Sequence, residues 1–281
     1  MNSPQGITTG VRTSCPPRRS RRRFWLCAAL AGLLLLLALA GLDMRVLEPR
    51  WFRVRTIPVP GQPIACRIVH ITDWHYHGKG DDAYAARVVA AINQLKPDLV
   101  CFTGDLIEEA DQAEPALAWI RQIQCPVYGV PGNHEDWSKA GMTPFRAAFA
   151  ATGGAWLEDE KVELPRFRLE ITGFKHPGAV FTPPRTQPAA VALLHFPRTA
   201  DTLSAAGRHY TLLLSGHSHG GQVRLPFYGA LITPYETGPY DRGRFDTPAG
   251  PLYVNPGLGT WFVPWRFLCR PEITVFELKT E

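Results

Sequence analysis

Short apolar runs recur along the chain, and each ends on a polar residue of a metal-binding type. Residues 67–72 (RIVHIT) end at Asp73, and 98–104 (DLVCFTG) end at Asp105. Residues 127–132 (VYGVPG) lead to Asn133 and His134, 190–194 (AVALL) to His195, and 210–216 (YTLLLSG) to His217. Each run predicts a buried strand closed by a turn signal. Between them, 82–95 carries Tyr84, Val88, Ala91, Ile92 and Leu95 at helical spacing, with Pro97 closing it. Shorter helices are expected at 115–123, 144–151 and 199–206, and further strands at 168–172, 252–255 and 272–278. This alternation predicts a layered α/β fold with helices covering strands. Sites in such folds gather at the C-terminal ends of strands, where every polar motif here falls.

One run breaks the pattern. Residues 24–42 (FWLCAALAGLLLLLALAGL) are uncharged throughout. As a helix, about 19 residues span roughly 28 Å, close to the thickness of a bilayer core. The preceding Arg12, Arg18, Arg19, Arg21, Arg22 and Arg23 predict an inside N-terminus and an outside body. The segment is either an uncleaved signal anchor or a cleaved signal, with Ala38, Leu39 and Ala40 as a small-residue cleavage site. SRRRFW resembles the twin-arginine export signal. The chain thus divides into a basic tail plus anchor (1–45), a Pro-containing connector (46–63) and a globular domain (64–281).

Charge adds little beyond this. The chain has 281 residues and a formal charge of +5, but the tail arginines account for that excess. The body is nearly neutral, which argues against a general nucleic-acid-binding face. None of the six cysteines forms a CxxC pair, so a zinc ribbon is not indicated. Cys66 and Cys101 read as small core residues.

The candidate chemistry lies in TDWH (Asp73, His75), TGD (Asp105), GNHE (Asn133, His134), LLHFP (His195) and GHSH (His217, His219). A lone GD is usually a turn and a lone buried histidine usually a core residue. Together, carboxylate, imidazole and amide oxygen make a ligand set for borderline divalent ions such as Mn, Fe and Zn. His70 reads as a core histidine, and His176 and His209 as surface residues. Tyr76 and His77 line either a pocket or a solvated loop. Arg266, within WFVPWRF, belongs either to an aromatic lip or to core packing.

In this order the blocks resemble the calcineurin-like metallophosphoesterase superfamily, whose pattern is D-x-H, GD, GNH, H and GH-x-H. ITDWHYH, LLHFP, GHSHGGQVRLP and the late GLGTWFVPWRFLCRPEITVFEL most resemble its membrane-associated bacterial branch, the YaeI/YkuE-like phosphodiesterases. Trp74 departs from the DLHY of that branch, which bears on packing or pocket shape rather than ligation. The resemblance implies a four-layer αββα sandwich, two facing mixed sheets flanked by helices. It implies two divalent ions, one held by Asp73, His75 and His219 and the other by Asn133, His195 and His217, with Asp105 between them. Asp73 is also expected to help orient His134, a non-ligand placed to protonate the leaving oxygen. The implied reaction is hydrolysis of a phosphodiester or pyrophosphate by a metal-bridging hydroxide. The implied substrate is membrane-related or lipid-linked, such as UDP-2,3-diacylglucosamine in lipid A synthesis, with manganese a candidate metal.

Two alternatives compete: a phosphomonoesterase of the same fold, and a non-enzymatic membrane interaction module. The acids in GDLIEE and GNHEDW argue against a dianionic phosphoprotein substrate. Location is expected to be the bacterial inner membrane. The body would be periplasmic by the positive-inside rule, or cytoplasmic if the nucleotide-lipid substrate is right.

Overall fold

A computed structural model describes residues 18–175 and 183–280. Arg12, Cys15 and His176 lie outside them. The chain divides into two units, Met1–Leu42 and Asp43–Glu281. The described part of the first is the helix α1 (Arg18–Leu42). The span Arg21–Arg50 contains a stretch long and apolar enough to cross a membrane. A signal sequence meets the same criteria.

The second unit carries fourteen strands among its described residues. The first five are β1 (Arg53–Val59), β2 (Cys66–Ile71), β3 (Leu99–Phe102), β4 (Val127–Gly129) and β5 (Ala155–Trp156). The next four are β6 (Glu160–Leu164), β7 (Leu169–Phe174), β8 (Ala189–Leu194) and β9 (Leu212–Ser215). A two-stranded ribbon follows, β10 (Arg224–Leu225) and β11 (Gly229–Ala230), then β12 (Gly243–Thr247), β13 (Gly250–Val254) and β14 (Glu272–Leu278). One six-stranded sheet has the order β1-β14-β2-β3-β4-β5, and the other β12-β13-β9-β8-β7-β6. Both are mixed. β14 runs antiparallel to β2 in the first, and β6 and β12 run antiparallel to their neighbours in the second.

Strand alternation divides the side chains between layers. In β2 and β3, Ile68, Leu99 and Cys101 point between the sheets, where they meet Ile171, Val191, Leu193 and Leu214. Val69, Ile71, Val100 and Phe102 point the other way, onto α2 (Asp82–Gln94), α3 (Ala113–Ile120) and α5 (Thr143–Ala151). In β8, Ala192 and Leu194 pack with Ala200 and Leu203 of α6 (Thr199–Ala205). Both faces of the central strands are buried, so they read as continuous apolar runs. The result is the expected α/β sandwich of helix, sheet, sheet and helix. Cys66 and Cys101 are core residues, and burial pushes the Cys66 thiol up to about 12.

The strands that hydrophobic patterning overlooks are edges. β1 falls inside the expected connector, yet pairs in parallel with β14 from Arg53↔Glu272 to Val59↔Leu278. It contains Arg53, Arg55 and Pro58 and is half exposed, as edge strands usually are. β6, at the far edge of the second sheet, carries Glu160, Lys161 and Glu163 for the same reason.

The inter-sheet layer supplies the first testable outcome. Phe276 is 1% exposed and packs edge-on against Tyr253 with ring centroids 5.3 Å apart. Phe276→Ala is expected to lower stability by about 3–5 kcal/mol. Urea denaturation checks this, and a loss below about 1 kcal/mol would contradict the packing described.

Candidate metal centre

The first sheet delivers Asp73 and His75 just beyond β2 and Asp105 beyond β3. Asn133 and His134 open the short helix α4 (Asn133–Ser138) beyond β4. The second sheet delivers His195 beyond β8, and His217 and His219 beyond β9. All eight are buried. The strands of both sheets therefore end at one place.

The chain turns sharply there. Asp73, His75, Asp105, His217 and His219 all have positive φ, between 45° and 66°. This left-handed region disfavours residues with a Cβ, and five such residues at one locus mark backbone strain held by the surrounding fold. Glycine relieves the crowding where chains touch. A Cβ on Gly220 would lie 2.7 Å from Cys269 Sγ, and one on Gly132 would overlap the Asp105 carboxylate.

Hydrogen bonds set the tautomers. His195 Nδ1 donates to the Thr103 carbonyl at 2.7 Å, and His217 Nε2 donates to the Tyr235 carbonyl at 2.7 Å. His75 Nδ1 meets the Glu108 carboxylate at 2.5 Å. Each outward nitrogen thus holds a proton, so in the neutral ring the inward nitrogen offers its lone pair. The inward atoms crowd one another. His195 Nε2 lies 3.0 Å from Asn133 Oδ1, 3.1 Å from His217 Nδ1 and 3.3 Å from Asp105 Oδ2. His75 Nε2 lies 3.0 Å from His219 Nε2 and 3.6 Å from Asp105 Oδ2. His219 Nε2 is 3.5 Å from Asp73 Oδ1, and its buried Nδ1 has no partner.

Acceptors facing acceptors in a buried site repel unless positive charge stands between them. The titration directions express the same demand. Burial opposes a charged His195, yet Asp105 and Asp73 raise it to about 9. Burial likewise opposes a charged Asp105, but His195, His75 and His134 hold its carboxyl well below the usual range. His217 is held down to about 3 by burial and by His195. The donor set fits divalent ions of the borderline class. Among the described residues three groups converge closely enough to hold one: Asp73, His75 and His219; Asp105, His195 and His217; and His75, Asp105 and His134. His217 and His219 fall in different groups although one serine separates them.

Two acids with no role assigned from sequence organise this centre. Glu108 bridges His75 Nδ1 and His134 Nδ1, the latter at 2.7 Å. Burial would raise its carboxyl, but the bonds from His134 and His75 hold it down to about 2. Glu108 takes the place expected of Asp73, whose own carboxylate accepts the His217 backbone N–H at 2.9 Å. Among the described residues the bond to His134 Nδ1 comes from Glu108, and none runs from Asp73 to that ring. Glu135, fully buried, accepts from the N–H groups of Asp105, Leu106 and Gly132 at 2.9, 2.6 and 2.7 Å. It fastens the turn carrying Asp105 to the turn carrying Asn133. The signal for both was in the sequence, as the acids of GDLIE and GNHE.

Other candidates lie apart from the convergence. His70 is a core residue whose Nε2 lies 2.8 Å from Thr103 Oγ1, and His209 is exposed. Tyr76 is buried and donates to Asp82, while His77 is exposed beside a notch of about 100 Å³ that Trp74 also lines. Arg266 is fully buried, and its guanidinium donates to the carbonyls of Pro256, Gly259 and Cys269.

Comparison with known proteins agrees with this geometry. The calcineurin-like phosphoesterase family matches residues 66–221. The uncharacterized metallophosphoesterase YkuE of Bacillus subtilis is 30% identical over 85% of this chain and 88% of its own. The phosphodiesterase YaeI of Escherichia coli is 27% identical over 84% of this chain and 91% of its own. Among solved structures, TT1561 of Thermus thermophilus aligns with a TM-score of 0.45 and 10% identity over 69% of this chain and 90% of that one. With its sandwich fold, its buried His/Asp clusters and a family match over more than half its length, the chain belongs to the calcineurin-like metallophosphoesterases and is a dimetal phosphoesterase.

Proposed function

We propose that the chain hydrolyses a phosphodiester at this centre. One ion would be held by Asp73, His75 and His219 and the other by Asn133, His195 and His217, with Asp105 available to both. The bound ions supply Lewis-acid charge for phosphoryl oxygens and make water a better nucleophile near neutral pH. The protein's own part is to orient and to move a proton. Glu108 holds the Nδ1 proton of His134, which leaves Nε2 to protonate the departing ester oxygen. Negative Glu108 also favours a protonated ring. Burial opposes this, but Glu108 and Asp105 carry His134 above its ordinary value.

The observation that carries a diester over a monoester is the charge of the cleft. Its walls are Asp105, Asn133, His134, Trp137, His217, His219, Pro234, Tyr235 and Trp261, with no arginine or lysine among them. A dianionic monoester would call for cations beyond the metals, whereas a monoanionic diester would not. The name of YaeI, a phosphodiesterase, supports the same reading. The N-terminal helix fits an anchor that keeps the body at a membrane. The carboxylate, imidazole and amide donors accept borderline divalent ions as a class.

Hydrolysis of bis(p-nitrophenyl) phosphate is expected to exceed that of p-nitrophenyl phosphate by at least tenfold in kcat/KM. The reverse order would favour a phosphomonoesterase. His134→Ala is expected to lose about 10²–10⁴-fold in kcat while keeping its metal content. Glu108→Gln, which keeps the shape but not the charge, should lose about 10–100-fold. Full activity in both variants would remove the proton-transfer role.

A further inference from the structure

A second cavity adjoins the metal cleft and differs from it in character. It has a volume of about 360 Å³, and Met44, Val223, Ile232, Trp261, Phe262 and Trp265 are among its walls. His219, Pro234 and Trp261 line both this groove and the cleft, so the two are contiguous. No carboxylate, lysine or arginine lines the groove. Of its polar side chains, Gln222 and Ser218 are already engaged, while His219 turns Nε2 to the metal centre and keeps an unpartnered Nδ1. Gln222 donates to the carbonyls of Trp261 and Val263 and accepts from the Trp261 N–H, and Ser218 accepts from the Gly220 N–H. A polar ligand would find little to bond there, and an apolar one would lose nothing by entering.

The rim is apolar as well. Ile232 is 75% exposed and Phe262 is 87% exposed, with Trp265 beside them. Scattered exposed apolar residues need no explanation, but a cluster around an apolar groove does. The walls are held in shape from beneath. The Arg266 guanidinium donates to the carbonyls of Pro256, Gly257, Gly259 and Cys269, and its backbone N–H donates to the Met44 carbonyl at 2.9 Å. Glu48 accepts from the N–H groups of Leu268 and Cys269. Met44 follows the last residue of the apolar helix by two positions, so the groove wall is tied in sequence to the segment suited to a bilayer.

From this contiguity we propose that the groove takes one acyl or alkyl chain of a lipid phosphodiester whose phosphorus lies at the metal centre. The proposal rests on the phosphodiesterase reading and assigns that substrate its apolar half. A groove of this size accepts a single chain, and the ester group at its inner end meets His219 and Trp261. Ile232, on the rim and outside the catalytic set, gates entry by apolar contact alone.

The test uses the full-length chain in phosphatidylcholine nanodiscs, loaded with divalent metal. Methyl, hexyl and decyl p-nitrophenyl phosphates are compared in the wild type and in Ile232→Asp. In the wild type, kcat/KM is expected to rise by up to about fourfold per methylene until the groove is filled, mainly through KM. Ile232→Asp should lose at least tenfold on the decyl ester and leave the methyl ester unchanged. Equal kcat/KM for methyl and decyl esters in the wild type would overturn the proposal. So would a chain-length gain that Ile232→Asp retains, since that would reflect partition into the bilayer. Calorimetric binding of decyl methyl phosphate and its butyl homologue separates occupancy of the groove from turnover at the metal centre. Chain-length-dependent binding lost in Ile232→Asp, without turnover of any ester, would uphold the groove and reject the diesterase reading.

Discussion

The structure depends on one electrostatic constraint, a buried set of lone pairs aimed at one another. Four histidines, two aspartates and an asparagine bring acceptor atoms within about 3.0–3.6 Å, away from water. Such an arrangement would be expelled from an ordinary core, because unpaired buried acceptors cost more than folding gains from them. It persists because most of these groups are held from behind. Thr103, Tyr235 and Glu108 fix the rings, Glu135 fixes two turns, and the His217 N–H fixes Asp73. The fold thus supplies the geometry and leaves the charge to be supplied by cations.

The sandwich makes this convergence possible. Two sheets whose inner faces share a core end their central strands at a common edge, so residues more than a hundred positions apart arrive together. Tight turns are then unavoidable, and the positive φ values of five site residues are their cost. The same edge carries the loops of residues 217–235 and 256–269, which frame both the polar cleft and the apolar groove. A polar reacting centre and an apolar binding surface therefore share a wall that includes His219 and Trp261.

Much of this was legible in the sequence, and what was not has a physical reason. Central strands buried on both faces announce themselves as apolar runs, and their terminal residues named the candidate ligands. Edge strands do not. β1 and β6 alternate charge with small apolar groups and read as connector or loop until their partners are known. The eight motif residues were visible because ligand chemistry restricts residue type. Glu108 and Glu135 were harder to assign, since a carboxylate that only positions others has no signature beyond its neighbours. Arg266 stood as an alternative between lip and core, and only its bonds to backbone carbonyls reveal a buried cation that braces a loop.

The most direct test of the central claim is calorimetric titration of the chelator-stripped, folded chain with a divalent metal, with proton release followed in parallel. Two ions per chain are expected. Affinity should climb with pH toward about 9, because a metal-free His195 raised to that value must surrender its proton to bind. Uptake of fewer than two ions by a folded chain, or an affinity indifferent to pH across this range, would contradict the account.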